Sequence, residues 1–422
     1  MRSSADASAD TAANPFGQSP FQRRSVRAVL TVIAPGVWTL VALQLVTRVH
    51  LGIPLDFQVY RDGALNMVHR GNTYHTRFTW AHLYFTYSPF ALLLLSALVV
   101  ASPIATLAAW WLFSALALVT VIALSLRELT ALRRYNLWLV AAAIGGASCL
   151  CLQPLRSNMN FGQINFFLML AVAYDLIRVR NRSRGVLTGL AAAIKLTPLI
   201  YAFYFVLSRA RASAWRAGGV FVVAGVVGWL VLPRDSVTFW LHQAFSPERK
   251  GNPANPLNQS WFGFAEHVLA SSPAWRDVAW VVLSAVTLWF GLSLARHFIA
   301  RSRPVDALLV LALTEVLVSP ISWAHHWSWV VLIPPVVAAR WRERPLVAAW
   351  MVVVLAVCVM APYRWYHFSW CSHGLVYDVL GYSLVLSGAA LLTAMFIAER
   401  RSGRTSLHDS VDTTLADDTA FA

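Results

Sequence analysis

The residues able to do chemistry collect in five polar stretches of an otherwise apolar chain. They are Asp56-Phe-Gln-Val-Tyr-Arg-Asp62, Gln153-Pro-Leu-Arg-Ser-Asn-Met-Asn-Phe-Gly-Gln163-Ile-Asn165, the isolated Lys195, Asn255-Pro-Leu-Asn-Gln-Ser260 and Ser319-Pro-Ile-Ser-Trp-Ala-His-His326. Together they supply a carboxylate, cations, amides and imidazoles. Such a set suits an anionic lipid head group carrying a hydroxylated substrate. Transfer from a lipid phosphate to a hydroxyl needs a carboxylate to take the proton and cations to hold the departing phosphate. Asp56 is the leading base. Arg156, Lys195, His325 and His326 are the phosphate partners, and Asn158, Asn160, Gln163, Asn165, Asn258 and Gln259 can hydrogen-bond hydroxyls.

Each residue also has a plainer use. Asp56 could cap the stretch that follows it, and Asp62 could pair with Arg61 or Arg70. Lys195 could snorkel to an interface, although a Lys inside an apolar run is costly unless partnered. His325 and His326 stand among Trp323, Trp327 and Trp329 and could belong to an interfacial belt. On an α-helix, adjacent residues point about 100° apart, so at most one of the two histidines is expected to reach a common site. Loop amides also cap helices and tie turns. No pair of carboxylates at i and i+2 occurs in the first polar stretch, and no His, Asp or Glu cluster has ligand spacing. Neither a metal nor a cofactor is implied.

The elements that position these residues must be membrane helices. Of 422 residues 58% are hydrophobic and 13% charged, more apolar surface than a soluble core of that length can bury. A span takes roughly 17 to 25 apolar residues, so the chain reads as an all-α polytopic membrane protein with about 11 to 13 transmembrane or re-entrant helices. The net charge of +15 lies in Arg clusters between apolar runs, the pattern of cytoplasmic loops, and does not imply nucleic acid. Arg23, Arg24 and Arg27 place the N-terminus in the cytoplasm and make the run from Arg27 to Val46 an uncleaved anchor. Residues 27–398 then form one membrane domain, with outer loops near 51–86, 153–162, 233–275, 319–326 and 362–374. Residues 1–26 and 399–422 are polar, without periodicity, and expected to be disordered and cytoplasmic. Cys149, Cys151, Cys358 and Cys371 form no disulfide or zinc pattern.

Two segments do not fit a simple count. Pro89 to Leu126 should make one net crossing although Ser102-Pro103 divides it. Gly185 to Leu207 lies between two basic clusters and must enter and return, which a break at Lys195-Leu196-Thr197-Pro198 would allow.

At these motifs the chain resembles glycosyltransferase family 87, multi-helix membrane transferases of the C superfamily. The resemblance rests on Asp56-Phe-Gln-Val-Tyr60 followed by Gly71-Asn-Thr-Tyr74, then Tyr87-Ser-Pro89, Asn160-Phe-Gly-Gln-Ile-Asn165, Gly189-Leu-Ala-Ala-Ala-Ile-Lys-Leu-Thr-Pro198, Asn258-Gln-Ser260 and Ser319-Pro-Ile-Ser-Trp323 with His325-His326. It implies inverting transfer of mannose from polyprenyl-phosphate mannose to a mannosylated glycolipid, through an α-1,2 linkage, at the periplasmic face of a plasma membrane. The acceptor would be a phosphatidylinositol mannoside or, as in a sibling group, a lipomannan. The family's base falls on Asp56; Tyr60 and Arg61, in the same polar stretch, are expected substrate contacts. Tyr87-Ser-Pro89 stands where Tyr-Pro-Pro is commoner, which alters loop stiffness and removes no chemistry. A transporter of a lipid-linked sugar is the rival reading, since broken helices with a Lys also serve translocation. It would need polar residues on both faces of the pathway, and a scaffold would need no converging charges at all.

Overall fold

The computed structural model describes residues 20–50, 52–132, 134–246, 249, 251–367 and 374–419. Residues 1–19, residues 368–373 of the expected 362–374 loop with Cys371 among them, and the last three residues of the tail lie outside it. A long helix α1 (Pro20–Val49) is followed by α2 (Leu55–Val68), the short hairpin β1 (Arg77–Phe78) and β2 (Leu83–Tyr84), and α3 (Pro89–Leu95). The strands pair antiparallel, Arg77 opposite Tyr84. Then come α4 (Pro103–Leu129), α5 (Arg134–Cys151), α6 (Gln153–Phe161) and α7 (Asn165–Ile177). The broken segment gives α8 (Val186–Ile194) and α9 (Ala202–Leu207), separated by Lys195 in extended backbone and a 3-10 turn. The second half holds α10 (Arg211–Val231), α11 (Pro233–Thr238), α12 (Trp261–Val268), α13 (Pro273–Ala300) and α14 (Pro304–Val318). A 3-10 helix (Ala324–Leu332) leads into α15 (Ile333–Arg340), then α16 (Pro345–Met360), α17 (Leu375–Gly381) and α18 (Ser383–Thr419).

Among the described residues six helices are long and apolar enough to cross a membrane: residues 27–49, Pro103–Leu129, Arg211–Val231, Pro273–Ala300, Pro345–Trp365 and Ser383–Arg401. Their outer faces keep apolar side chains uncovered, with Val32 74% and Leu230 76% exposed, as lipid-facing surfaces require. The chain is therefore a helical membrane protein. A seventh candidate is bent: residues 136–151 and Gln153–Phe161 meet at 85°, so α6 runs across the end of α5. Helix α1 begins at Pro20, inside the stretch expected to lack structure, and α18 continues past residue 399 to Thr419.

Sequence punctuation explains the breaks. Ser102 accepts from the Ala105 N–H with Pro103 at the first helical position, so α4 alone makes the long run and the piece from Pro89 to Val99 stays short. Gly162 ends α6 in the left-handed region at φ 66°, where glycine carries no Cβ penalty. Helix α8 is capped from outside: Asp175 on α7 accepts from the Gly185 and Thr188 N–H groups and the Thr188 hydroxyl, each at 2.8 Å. Two indoles of α4 fasten α6, Trp110 donating to the Gly162 carbonyl and Trp111 to that of Met159, both at 2.9 Å. Elsewhere, Arg303 binds Asp306 at 2.7 Å, Arg340 reaches Asp306 at 3.3 Å, and Arg303 and Arg344 reach Glu399 at 3.5 and 3.4 Å. These ion pairs join α14, α15 and α18.

Candidate active site

A single large cavity gathers residues from α2, the β-hairpin, α6, the break after α8, the segment before α12, the end of α14 and the 3-10 helix after it. Its volume is about 1010 Å³, at the upper end of the roughly 300 to 1,000 Å³ of small-molecule pockets. Asp56, Tyr60, Tyr87, Gln163, Lys195, Arg249, Glu315, His325, His326 and Arg364 all line it.

Asp56 is not a helix cap. Pro54 holds that position without a side-chain bond, and Asp56 stands inside the first turn of α2. Burial raises its carboxyl from 3.8 to about 6, against the lowering effects of a Gln163 hydrogen bond and the Lys195 charge. Gln163 is fixed from its other side. Its Oε1 accepts from the Tyr60 hydroxyl at 3.0 Å and the Tyr87 hydroxyl at 3.3 Å, and the two hydroxyls are 2.8 Å apart. That arrangement leaves the amide N–H to Asp56, so two buried tyrosines orient the amide that orients the carboxylate.

Lys195 projects from the C-terminal end of α8, where the helix dipole favours a cation. Its Nζ donates to Asn165 Oδ1 at 3.1 Å and lies 3.1 Å from His326 Nε2. Asn165 in turn donates to Asn158 Oδ1 at 3.0 Å and to the His325 carbonyl at 3.2 Å. Both histidines line the cavity, their rings 4.7 Å apart and 88° to one another. Both arrive against the expectation that at most one would, although adjacent residues on a 3-10 helix diverge by about 120°: His326 turns to Lys195 while His325 stays buried beside Phe161. His325 Nε2 is buried with no hydrogen-bond partner among the described residues.

Five expected contacts do not line the cavity. Arg61 reaches the Ala101 carbonyl at 3.5 Å, and Arg156 turns back to Leu150 at the same distance. Asn160 accepts from Gln44 of α1 at 3.1 Å. Asn258 is consumed by the backbone: it donates to the Pro253 and Pro320 carbonyls and accepts from the Ser322 N–H and the Ser260 hydroxyl. Gln259 likewise donates to the Pro256 and Gly381 carbonyls and accepts from Leu384 N–H. Their place in shared motifs reflects loop architecture, since both side chains are wholly buried.

Sequence reasoning missed Glu315, Arg249 and Arg364. Glu315 Oε2 accepts from the Tyr201 hydroxyl at 2.5 Å. The signal was available, because a carboxylate inside the apolar run of α14 is as costly as Lys195 in its own. Arg249 sits in a loop between Glu248 and Lys250, and nothing in its spacing distinguishes it.

This is a helical membrane protein with a deep cavity whose carboxylate and cation come from distant segments. The family model described as "Glycosyltransferase family 87" matches residues 85–320, more than half of the chain. The match takes in Gln163, Lys195 and Glu315, while Asp56, Tyr60 and the two histidines fall outside it. A polyprenol-phosphate-mannose-dependent alpha-(1-2)-phosphatidylinositol mannoside mannosyltransferase of Mycolicibacterium smegmatis is 36% identical over 236 residues, covering 53% of each chain. The protein of the same description from Mycobacterium tuberculosis is 31% identical over 340 residues, 75% of this chain and 77% of the relative. A phosphatidylinositol pentamannoside mannosyltransferase of Mycobacterium tuberculosis is 32% identical over 314 residues, 72% of this chain and 71% of the relative. The matched stretch thus spans about half the length of the first relative and more than two thirds of the other two. The chain belongs to glycosyltransferase family 87.

Proposed function

We propose that the protein is a polyprenyl-phosphate-mannose-dependent α-1,2-mannosyltransferase acting on a phosphatidylinositol mannoside or related glycolipid. The observation that carries this reading is the cavity that holds Asp56, oriented by Gln163, together with the Lys195–His326 pair. The relatives' descriptions supply the donor and the acceptor class.

In this mechanism the donor phosphate rests on Lys195 and His326, with His325 Nε2 available as a further partner. Asp56 takes the proton of the acceptor hydroxyl, whose oxygen attacks the anomeric carbon as the bond from that carbon to the phosphate oxygen breaks. The electron pair leaves with the phosphate, which passes from one negative charge to two. A cation already in place therefore stabilises the transition state more than the bound donor, and no separate acid is needed. Attack from the face opposite the phosphate inverts the centre, so an α product requires a β-linked donor.

The cavity faces the periplasmic side of the plasma membrane in this reading, because the Arg clusters between helices mark the cytoplasmic loops. The domain comprises residues 27–398, its outer loops near 51–86, 153–162, 233–275, 319–326 and 362–374, with cytoplasmic ends on either side. In this reading the short apolar helices at Pro89–Val99, Asn165–Ile177 and Thr197–Leu207, with α14 and α15, enter the membrane as partial or re-entrant segments beside the six spans, for about 11 to 13 in all.

The test is transfer of labelled mannose from polyprenyl-phosphate mannose by the purified protein to a panel of mannosylated phosphatidylinositols. A product cleaved by an α-1,2-mannosidase supports the reading. Donor binding without any product, together with movement of the lipid-linked sugar across proteoliposomes, would transfer the assignment to transport.

A further inference from the structure

The cavity has a second cationic region, built from other elements than the first. Arg249 lines it with its guanidinium donating to the Tyr74 carbonyl and stacked 3.8 Å from the centre of the Tyr84 ring. The same ring carries Arg77, whose Nε donates to the Tyr84 hydroxyl at 2.9 Å and whose guanidinium lies 5.1 Å from the ring centre. Tyr84 also lines the cavity, so β2 presents one aromatic platform to two arginines. Among the described residues no carboxylate lies within ion-pair distance of Arg249, Arg77 or the cavity's other arginine, Arg364. Lys195 differs, since its charge acts on both Asp56 and Glu315.

Position separates the two regions further. Lys195 follows a half-helix capped inside the protein, whereas Arg249 is held by the hairpin and the segment beyond α11. Trp80, in the hairpin turn, is 83% exposed and Phe245, four residues before Arg249, is 80% exposed. Exposed aromatics beside a cavity mouth mark the depth at which lipid head groups lie.

We propose that Arg249, on its Tyr84 platform, binds the phosphodiester of a phospholipid-anchored acceptor and so selects lipid-anchored over free mannosides. The proposal rests on the transferase reading. The phosphate that departs must lie within one sugar ring of Asp56, which assigns it to Lys195. A guanidinium with no carboxylate partner among the described residues then faces the other substrate, whose anion takes no part in bond breaking. A planar fork suits a phosphodiester that must be oriented and not released.

The test compares wild type, R249Q and R249K on two acceptors at fixed donor: a mannosylated phosphatidylinositol and octyl α-mannoside, which carries no charge. R249Q should raise KM for the phosphoinositide acceptor by about tenfold or more while leaving kcat/KM for octyl α-mannoside within about twofold, and R249K should fall between. Retained turnover of the neutral acceptor also certifies that R249Q is folded. Equal losses on both acceptors, or a rise in KM for the donor alone, would overturn the assignment. No transfer by the wild-type protein to either acceptor would instead bring down the transferase reading and the acceptor site with it.

Discussion

Lys195 Nζ and His326 Nε2 stand 3.1 Å apart although 131 positions separate them in the chain. With Lys195 as an ammonium, which only donates, the imidazole nitrogen facing it accepts and His326 then carries its proton on Nδ1. The pair is thus one full positive charge held in place by a neutral ring and by Asn165. Replacing the charge should affect chemistry more than binding, because the leaving phosphate gains its second charge only as the bond breaks. We expect Lys195→Gln to lower kcat/KM by about 10² to 10³, mostly in kcat. Lys195→Arg should recover little of this, since a planar fork cannot sit between Asn165 and His326 as a point charge does. Steady-state kinetics with varied donor would decide; a loss confined to KM contradicts the account.

Asp56→Asn should abolish turnover while leaving donor binding unchanged, a loss of at least about 10² if the carboxylate is the base. It should also stabilise the fold at neutral pH. The folded-state carboxyl, raised to about 6, holds its proton more tightly than the unfolded one at 3.8, so its stabilising contribution is complete below pH 3.8 and is lost as pH rises through about 6. A neutral Asn escapes that loss. A thermal midpoint a few degrees above wild type at pH 7.5, converging with it near pH 4, is the expected result. The wild-type rate should follow the opposite course, climbing with pH and levelling above about 6 as the base ionises. A rate independent of pH between 5 and 7 would remove Asp56 from the role.

Gln163→Ala takes away the amide that points the carboxylate and the acceptor shared by Tyr60 and Tyr87. Loss of the hydrogen bond to the ionised form should move the acidic limb of the rate profile upward. The orphaned tyrosine hydroxyl should cost about 1 to 3 kcal/mol of stability. Gln163→Glu is the informative companion: a second carboxylate beside Asp56 should raise the limb further without emptying the space. An unmoved limb in both variants would show that the amide has no hold on the base.

Asn258→Ala should behave as a fold mutant and not as a binding mutant. Its carboxamide makes four bonds, two within the loop before α12 and two that tie that loop to Pro320 and Ser322, and two of the partners are buried. We expect a lowered thermal midpoint with donor and acceptor KM unchanged in the protein that remains folded. A specific rise in acceptor KM would return Asn258 to the substrate.

What the sequence made legible was polarity out of place. Lys195 in an apolar run, the break around it and the carboxylate after the first helix all announce themselves, because each costs free energy that ordinary folding does not require. The amides did not separate in the same way. Gln163 and Gln259 have identical side chains in comparable loops, yet one orients Asp56 and the other fastens α18 through Leu384. Only the hydrogen-bond partners tell them apart, and the distinguishing ones come from segments 76 to 125 residues away. The histidines were misjudged because the cavity is broad enough for both to line it in spite of their divergence, and nothing in Ala324-His-His326 announces that breadth. Glu315 was legible by the very rule that found Lys195.

The two indoles that fasten α6 to α4 give the carboxylate's support a mechanical parent. Gly162 and Gln163 hang at the end of α6, and α4 is a helix long enough to span the bilayer. Lys195 follows a different parent, α8, whose cap lies on α7 and whose flank packs on α10. A spanning helix answers hydrophobic mismatch by tilting. Helix α7, which caps α8 and begins at Asn165 beside Lys195, packs on α4 as well, so a tilt of α4 carries Gln163 and Lys195 together and the gap between carboxylate and ammonium is kept as lipid thickness changes.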